Sequence, residues 1–94
     1  MEKIFISKRT FDTEHKHYIL KYYLTEKKNS GKVTCYGIGI EKYLIAERSE
    51  DFIEEEFIYN ISHSEKVVKN LINKLDVNLV TPFSLTNIID NYFK

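Results

Sequence analysis

A chain of 94 residues that is 43% hydrophobic, with seven Tyr and six Phe, supports one core and one domain, and it excludes general disorder. A single Cys excludes an intramolecular disulfide framework and any Cys-based zinc finger. Fourteen basic residues balance fourteen acidic ones, which argues against a dedicated nucleic-acid binder, because such proteins carry a basic excess.

The balance hides an asymmetry. Residues 1–48 hold ten Lys/Arg and six Asp/Glu, a surplus of +4, and residues 49–94 hold four and eight, a surplus of −4. Opposite halves attract within one fold, or between two copies across a two-fold axis. Heavy use of Lys, Asn, Ile, Glu, Tyr and Phe, with one Pro and no Trp, points to an AT-rich bacterial or phage gene. The opening Met1–Arg9 breaks into charge after three apolar residues, too short a run for a signal peptide or a spanning helix. A cytoplasmic setting without membrane contact is expected.

Strand signals fill the first two thirds. Lys3–Arg9 is short and rich in β-formers. In His17–Lys27, Tyr18, Leu20, Tyr22 and Leu24 alternate with Ile19, Lys21, Tyr23 and Thr25, the period of a half-buried strand. Lys28–Lys32 reads as a hairpin turn, with Asn29 or Gly31 supplying positive φ. Val33–Tyr43 returns with Tyr36, Ile38 and Ile40 on one face and Val33, Cys35, Gly37 and Gly39 on the other. Two glycines at spacing two leave that face bare, so a helix of the same chain or a partner's backbone is expected to approach it closely. The polar Leu44–Asp51 reads as a connection. Phe52–Ile61 resumes the alternation, with Ile53, Phe57, Tyr59 and Ile61 on one face and Phe52, Glu54, Glu56 and Ile58 on the other. Its three consecutive acids suit an edge strand or one exposed on a face.

The period then changes to 3.6. Ser62 with Glu65 fits a capping box and Ser64 is a rival N-cap. Val67, Val68, Leu71, Ile72 and Leu75 form one apolar stripe, which Asp76-Val77-Asn78 ends. Thr81-Pro82 opens a second helix with Leu85, Ile88, Ile89 and Tyr92 as its stripe. The order ββββαα predicts an α+β fold: a four-stranded, mostly antiparallel sheet (strands about 3–61) followed by two C-terminal helices (about 63–76 and 82–93) packed on one face, within a single domain 1–94.

The pieces Thr34-Cys35-Tyr36-Gly37-Ile38-Gly39-Ile40, Asn60-Ile61-Ser62, Glu65-Lys66-Val67 and Thr81-Pro82-Phe83-Ser84-Leu85, followed by Ile88-Ile89-Asp90-Asn91-Tyr92, together resemble a family of small uncharacterised bacterial domains. That family shares a Tyr-Gly-Ile-x-Ile strand, an Ile-Ser helix cap and a Thr-Pro-x-x-Leu helix. The resemblance covers roughly residues 18–93. It implies the same architecture in a bacterial cytoplasm and brings no activity with it.

Several constellations bear on chemistry. His15-x-His17 puts two imidazoles on one face of an extended segment, near Asp12 and Glu14; two His without a third ligand at fixed spacing read as surface residues. Ser62-His63-Ser64 is explained by helix capping, since adjacent residues rarely reach nucleophile–base geometry. Cys35 lacks a flanking cation and reads as a small core residue. Gly37-x-Gly39 is followed by Lys42 where a dinucleotide fingerprint needs Gly. Glu54 and Glu56 share a face and could bind a cation or a basic partner, but a solvated acidic face is the plainer explanation. A helix-turn-helix reading of the closing helices fails for want of cations, since Pro82–Phe93 contains no Lys or Arg. Base stacking on Tyr18, Tyr22, Tyr23 and Tyr36 is conceivable, but the motif of the common RNA-binding sheet is absent.

No catalytic residue, metal or cofactor is expected. The expected function is that of a small regulatory or adaptor module acting by protein–protein contact, through Tyr22, Tyr23, Tyr36, Gly37, Gly39, Glu54 and Glu56. The alternatives are a phage-type inhibitor of a host machine and a weak nucleic-acid-binding regulator. A homodimer is also expected, with Glu54–Glu56 set against Lys8, Arg9 and Lys21 of a second copy.

Overall fold

The computed structural model describes residues 2–93; the expected domain limits at 1 and 94 lie outside the described residues. Four strands, β1 (Glu2–Asp12), β2 (His17–Asn29), β3 (Lys32–Ala46) and β4 (Ser49–Ser62), precede two helices, α1 (Glu65–Val77) and α2 (Pro82–Tyr92). The strands form an antiparallel meander in the order β1-β2-β3-β4. This is the expected α+β architecture, and the acidic strand β4 is an edge, as is β1.

The first turn takes its positive φ from Gly31, one of the two expected residues, and the second departs from expectation. Between β2 and β3 the left-handed residues are Ser30 (φ 53°) and Gly31 (φ 80°), a pair of positive φ values that matches the right-handed twist of a two-residue hairpin. Asn29 instead closes the ladder opposite Lys32. Between β3 and β4 only Glu47 and Arg48 turn. The expected connection Leu44–Asp51 is ladder, with Leu44 opposite Asp51 and Ala46 opposite Ser49. Polar residues tolerate strand geometry there because the hairpin tip is largely exposed, so no apolar alternation is needed to hold it.

Both helices lie on one face of the sheet. Leu20, Tyr22 and Leu24 of β2 and Ile38 and Ile40 of β3 meet Val68, Leu71, Ile72 and Leu75 of α1 and Leu85 and Ile89 of α2, with Val80 between the helices. The period-two and period-3.6 apolar positions thus meet in one layer, and each fully buried side chain contributes about 1.5–3 kcal/mol before entropy. Tyr22 is buried there because its hydroxyl donates to the Val80 carbonyl at 2.9 Å, which satisfies the one polar atom the ring brings in. Arg9 Nε donates to Asp76 Oδ1 at 2.6 Å and ties β1 to α1.

Register shifts in the edge strands correct two face assignments. A shift between Lys42 and Tyr43 turns Phe52 to lie opposite Tyr43, away from Glu54 and Glu56. A second irregularity near Asn60, at φ 60°, returns Ile61 to the helix side, where it packs against the core. An extra residue in one strand reverses every side chain beyond it.

Ser64, not Ser62, caps α1: its Oγ accepts from the Val67 amide at 3.2 Å, while Ser62 Oγ accepts from the Ser64 amide at 3.0 Å. Val67 of the predicted stripe is 38% exposed, because it lies in the first turn, beside the cap. At the other end of α1, Leu79 N–H donates to Asp76 and Val80 N–H to Leu75. That pairing, with Leu79 left-handed at φ 53°, is a Schellman motif. Its closing apolar contact is supplied by Val80 and Leu75, both in the core cluster.

Candidate functional site: the helix-free face of the sheet

Among the described residues no helix covers the second face of the sheet, and the ladder registers sort its side chains into rows. One row runs Phe5–Tyr23–Gly39–Phe57 across all four strands. The next runs Lys8–Lys21–Glu41–Glu55, and the third Thr10–Ile19–Tyr43–Phe52. Rings touch within and between rows: Phe5 meets Tyr23 edge-on at 5.8 Å between centroids, Tyr23 meets Phe57 at 6.1 Å and Tyr43 meets Phe52 at 5.9 Å. Phe57 also stacks on Tyr59 at 6.0 Å.

The bare strip expected at Gly37 and Gly39 is filled from within the sheet, and among the described residues it is a neighbouring strand, not a helix, that does it. A Cβ at Gly39 would fall into the Phe57 ring, which lies across that residue. A Cβ at Gly37 would fall on the Ile58 carbonyl oxygen and the Thr25 hydroxyl. Glycine is required at 37 by close backbone approach and at 39 by an aromatic ring that takes the missing side chain's place.

Glu41 sits at the centre of this face with its side chain only 5% exposed. Three donors converge on it: Lys3 Nζ at 2.6 Å, Tyr23 OH at 2.8 Å and Tyr43 OH at 2.9 Å. Burial pushes the carboxyl upward, but the hydrogen bonds from Lys3, Tyr23 and Tyr43 and the Lys3 charge outweigh it and hold the group below the usual carboxylate range. The reciprocal effect appears on the phenols. Burial first, then the bond to Glu41, raises Tyr23 and pushes Tyr43 up to about 12. The Lys3 ammonium also lies over the rings of Tyr23, at 4.7 Å, and Phe57, at 5.7 Å. Beside it opens a cleft of about 200 Å³ lined by Glu2, Lys3, Thr25, Glu55, Phe57 and Tyr59.

Of the seven residues singled out from the sequence, Tyr23, Gly37 and Gly39 share this face. Tyr22 does not: it is fully buried under the helices and presents no surface to a partner. Tyr36 is half-buried against the helix-side core. Glu54 and Glu56 lie opposite Lys42 and Ile40, which puts them on the helix side of β4. The partners proposed for the acidic edge are partly engaged within the chain, since Arg9 pairs with Asp76 and Lys21 with Glu50 at 2.8 Å. Lys3, Glu41 and Tyr43 were missed. Continuing the Gly37, Gly39 alternation to 41 and 43 would have found the last two.

The other candidates have local roles. His17 Nδ1 meets Asp12 at 2.6 Å with both side chains exposed, and His15 lies 3.9 Å from Glu14. Among the described residues no group of three or more His, Cys, Asp or Glu is placed to hold a metal ion. His63 Nδ1 donates to the Thr34 carbonyl. Cys35 is buried, with its thiol 3.4 Å from the Ser62 carbonyl. Among the described residues no helix is long and apolar enough to cross a membrane.

An antiparallel four-stranded sheet with one helix-covered and one aromatic face defines a small α+β domain. All of residues 1–94 match the family model for a family of unknown function, DUF6514, and the chain belongs to that family. No curated protein and no solved structure matches it.

Proposed function

We propose that the domain is a non-enzymatic binding module that docks a protein partner on the helix-free face of its sheet, in a regulatory or adaptor role. The observation that carries this reading is the aromatic surface left on that face. Phe5, Phe52 and Tyr59 are 52%, 55% and 48% exposed, and they flank the rows centred on Tyr23, Phe57 and Tyr43. Aromatic rings offer large contact area at low entropic cost, and contiguous apolar surface is what protein interfaces use. The charge pattern favours protein over nucleic acid: Lys3 and Lys21 already hold Glu41 and Glu50, and Lys8 shares its row with the acidic Glu41 and Glu55, a mixed rather than a basic surface.

The test is affinity capture from the native host by the wild type and by a Phe52→Ala/Tyr59→Ala variant, with melting curves confirming that both fold. A protein captured by the wild type and lost by the variant supports the reading. Salt-sensitive retention of a mixed oligonucleotide pool, lost in the same variant, would overturn it in favour of nucleic acid. Light scattering distinguishes a second copy as the occupant: a mass near twice 11.2 kDa that the variant halves makes this face a homodimer interface.

A further inference from the structure

Glu41, Tyr23 and Phe57 have the makeup of an ammonium-binding cage, and the cage is occupied by the chain's own Lys3. Its parts are a buried carboxylate that accepts from Lys3 Nζ at 2.6 Å, and two rings whose centroids lie 4.7 and 5.7 Å from the same nitrogen. Rings and a carboxylate around one cation form the recognition chemistry of an alkylammonium group. Two tyrosine hydroxyls from β2 and β3 also hold the carboxylate from the side, and the Phe57 ring of β4 lies across Gly39. The occupant, by contrast, comes from the edge strand β1, and its side chain is 51% exposed. The cleft of about 200 Å³ lined by Lys3, Phe57 and Tyr59 opens directly beside it.

We propose that Lys3 is a built-in stand-in for a lysine side chain of the docked protein partner, which displaces it from Glu41 through the adjoining cleft. The proposal rests on the docking reading above and names the partner's chemistry. Exchange of one ammonium for another leaves Glu41 charged, paired and covered by the same rings, so the displacement leaves no buried charge unpaired. The only loss is the tether. The resident lysine lowers the apparent affinity of any competitor by the fraction of time the cage stands open. If the cage is open for about a tenth of the time or less, removing Lys3 tightens binding by tenfold or more.

The experiment uses n-butylammonium as a mimic of a lysine side chain and follows the Tyr23, Tyr43 and Phe57 ring resonances by NMR. The proteins are the wild type, Lys3→Met, which keeps an unbranched apolar stem without the charge, and Lys3→Met/Glu41→Gln. The expected result is saturable binding to Lys3→Met at least tenfold tighter than to the wild type, abolished in the double variant, together with a rise in the melting temperature of Lys3→Met alone on adding the amine. Equal binding by all three, or none by Lys3→Met, overturns the proposal and makes Lys3 a strap for β1. Should Lys3→Met not fold, Lys3→Gln is measured the same way, and failure of the amine to restore folding to either variant also overturns it. A negative result here leaves the docking reading intact, since capture through Phe52 and Tyr59 is scored independently.

Discussion

The two faces of one sheet are organised by different physics. On the helix side, Leu20, Tyr22, Leu24, Ile38 and Ile40 are each no more than 1% exposed and meet the stripes of α1 and α2. Their contribution is apolar area removed from water. On the free side the same strands carry Tyr23, Gly39, Glu41 and Tyr43, and order comes from rings leaning across a glycine and three donors converging on one carboxylate. The first arrangement tolerates similar apolar shapes but not holes. The second depends on directional contacts and leaves aromatic edges in water.

The contrast can be broken most forcefully at its apolar side. Leu71→Ala or Leu85→Ala should cost about 2–5 kcal/mol, the usual penalty for emptying a sealed site, whereas Phe52→Ala on the free side should cost about 1 kcal/mol or less. Denaturant midpoints compare them directly, and equal losses would mean that the faces are not energetically distinct.

The next largest effect separates the two glycines. Gly37→Ala must move the Ile58–Tyr59 backbone as well as the Thr25 side chain and should cost about 1–3 kcal/mol. Gly39→Ala needs only the Phe57 ring to swing away, so its loss should be smaller, and it should appear as changed Phe57 and Tyr23 ring resonances. A larger loss at 39 than at 37 would show that the ring is locked in place.

A gain of about 0.5–1 kcal/mol is expected for Leu79→Gly, because a branched side chain is held at φ 53° where glycine carries no penalty. Leu79 lies at the end of α1, remote from the free face, so thermal melts should rise while partner capture stays unchanged.

The smallest effect is the pH response of the Glu41 cluster. The folded carboxyl lies below its ordinary value of 4.5, so its stabilisation is present above that pH and fades as pH falls through the lower folded value. Tyr43 is raised from 10.0 to about 12; its contribution is present below pH 10 and fades as pH rises towards 12. Melting temperatures of the wild type should fall at both limbs, and in Glu41→Gln both limbs should be shallower. Identical profiles would show that the cluster does not couple to folding.

What the sequence disclosed follows the same division. Tyr18, Leu20, Tyr22 and Leu24 and the two helical stripes rest on local periodicity, and they placed β2, α1 and α2, whereas between the cap candidates Ser62 and Ser64 only the structure selects Ser64. Phe52 and Ile61 were assigned to the wrong faces, because irregularities in the edge strand β4 redirect side chains and leave no mark in the alternation. The ring over Gly39 and the Lys3–Glu41 pair join residues 18 and 38 positions apart (Phe57 to Gly39, Glu41 to Lys3). They exist only once three strands are in register. Carried two residues further, the alternation would have put Glu41 beside Gly37 and Gly39, but only the converging hydroxyls explain how a charge is kept there.

The division of labour between the faces is tested most directly by quantitative capture from the native host with three folded proteins side by side: the wild type, Phe52→Ala/Tyr59→Ala on the free face, and Phe83→Ala on α2, where the ring is 84% exposed. The account predicts that the wild type and Phe83→Ala recover the same protein in equal amounts and that the free-face variant recovers none. Loss of that protein with Phe83→Ala and its retention by the free-face variant would contradict the account and move the binding surface to the helices.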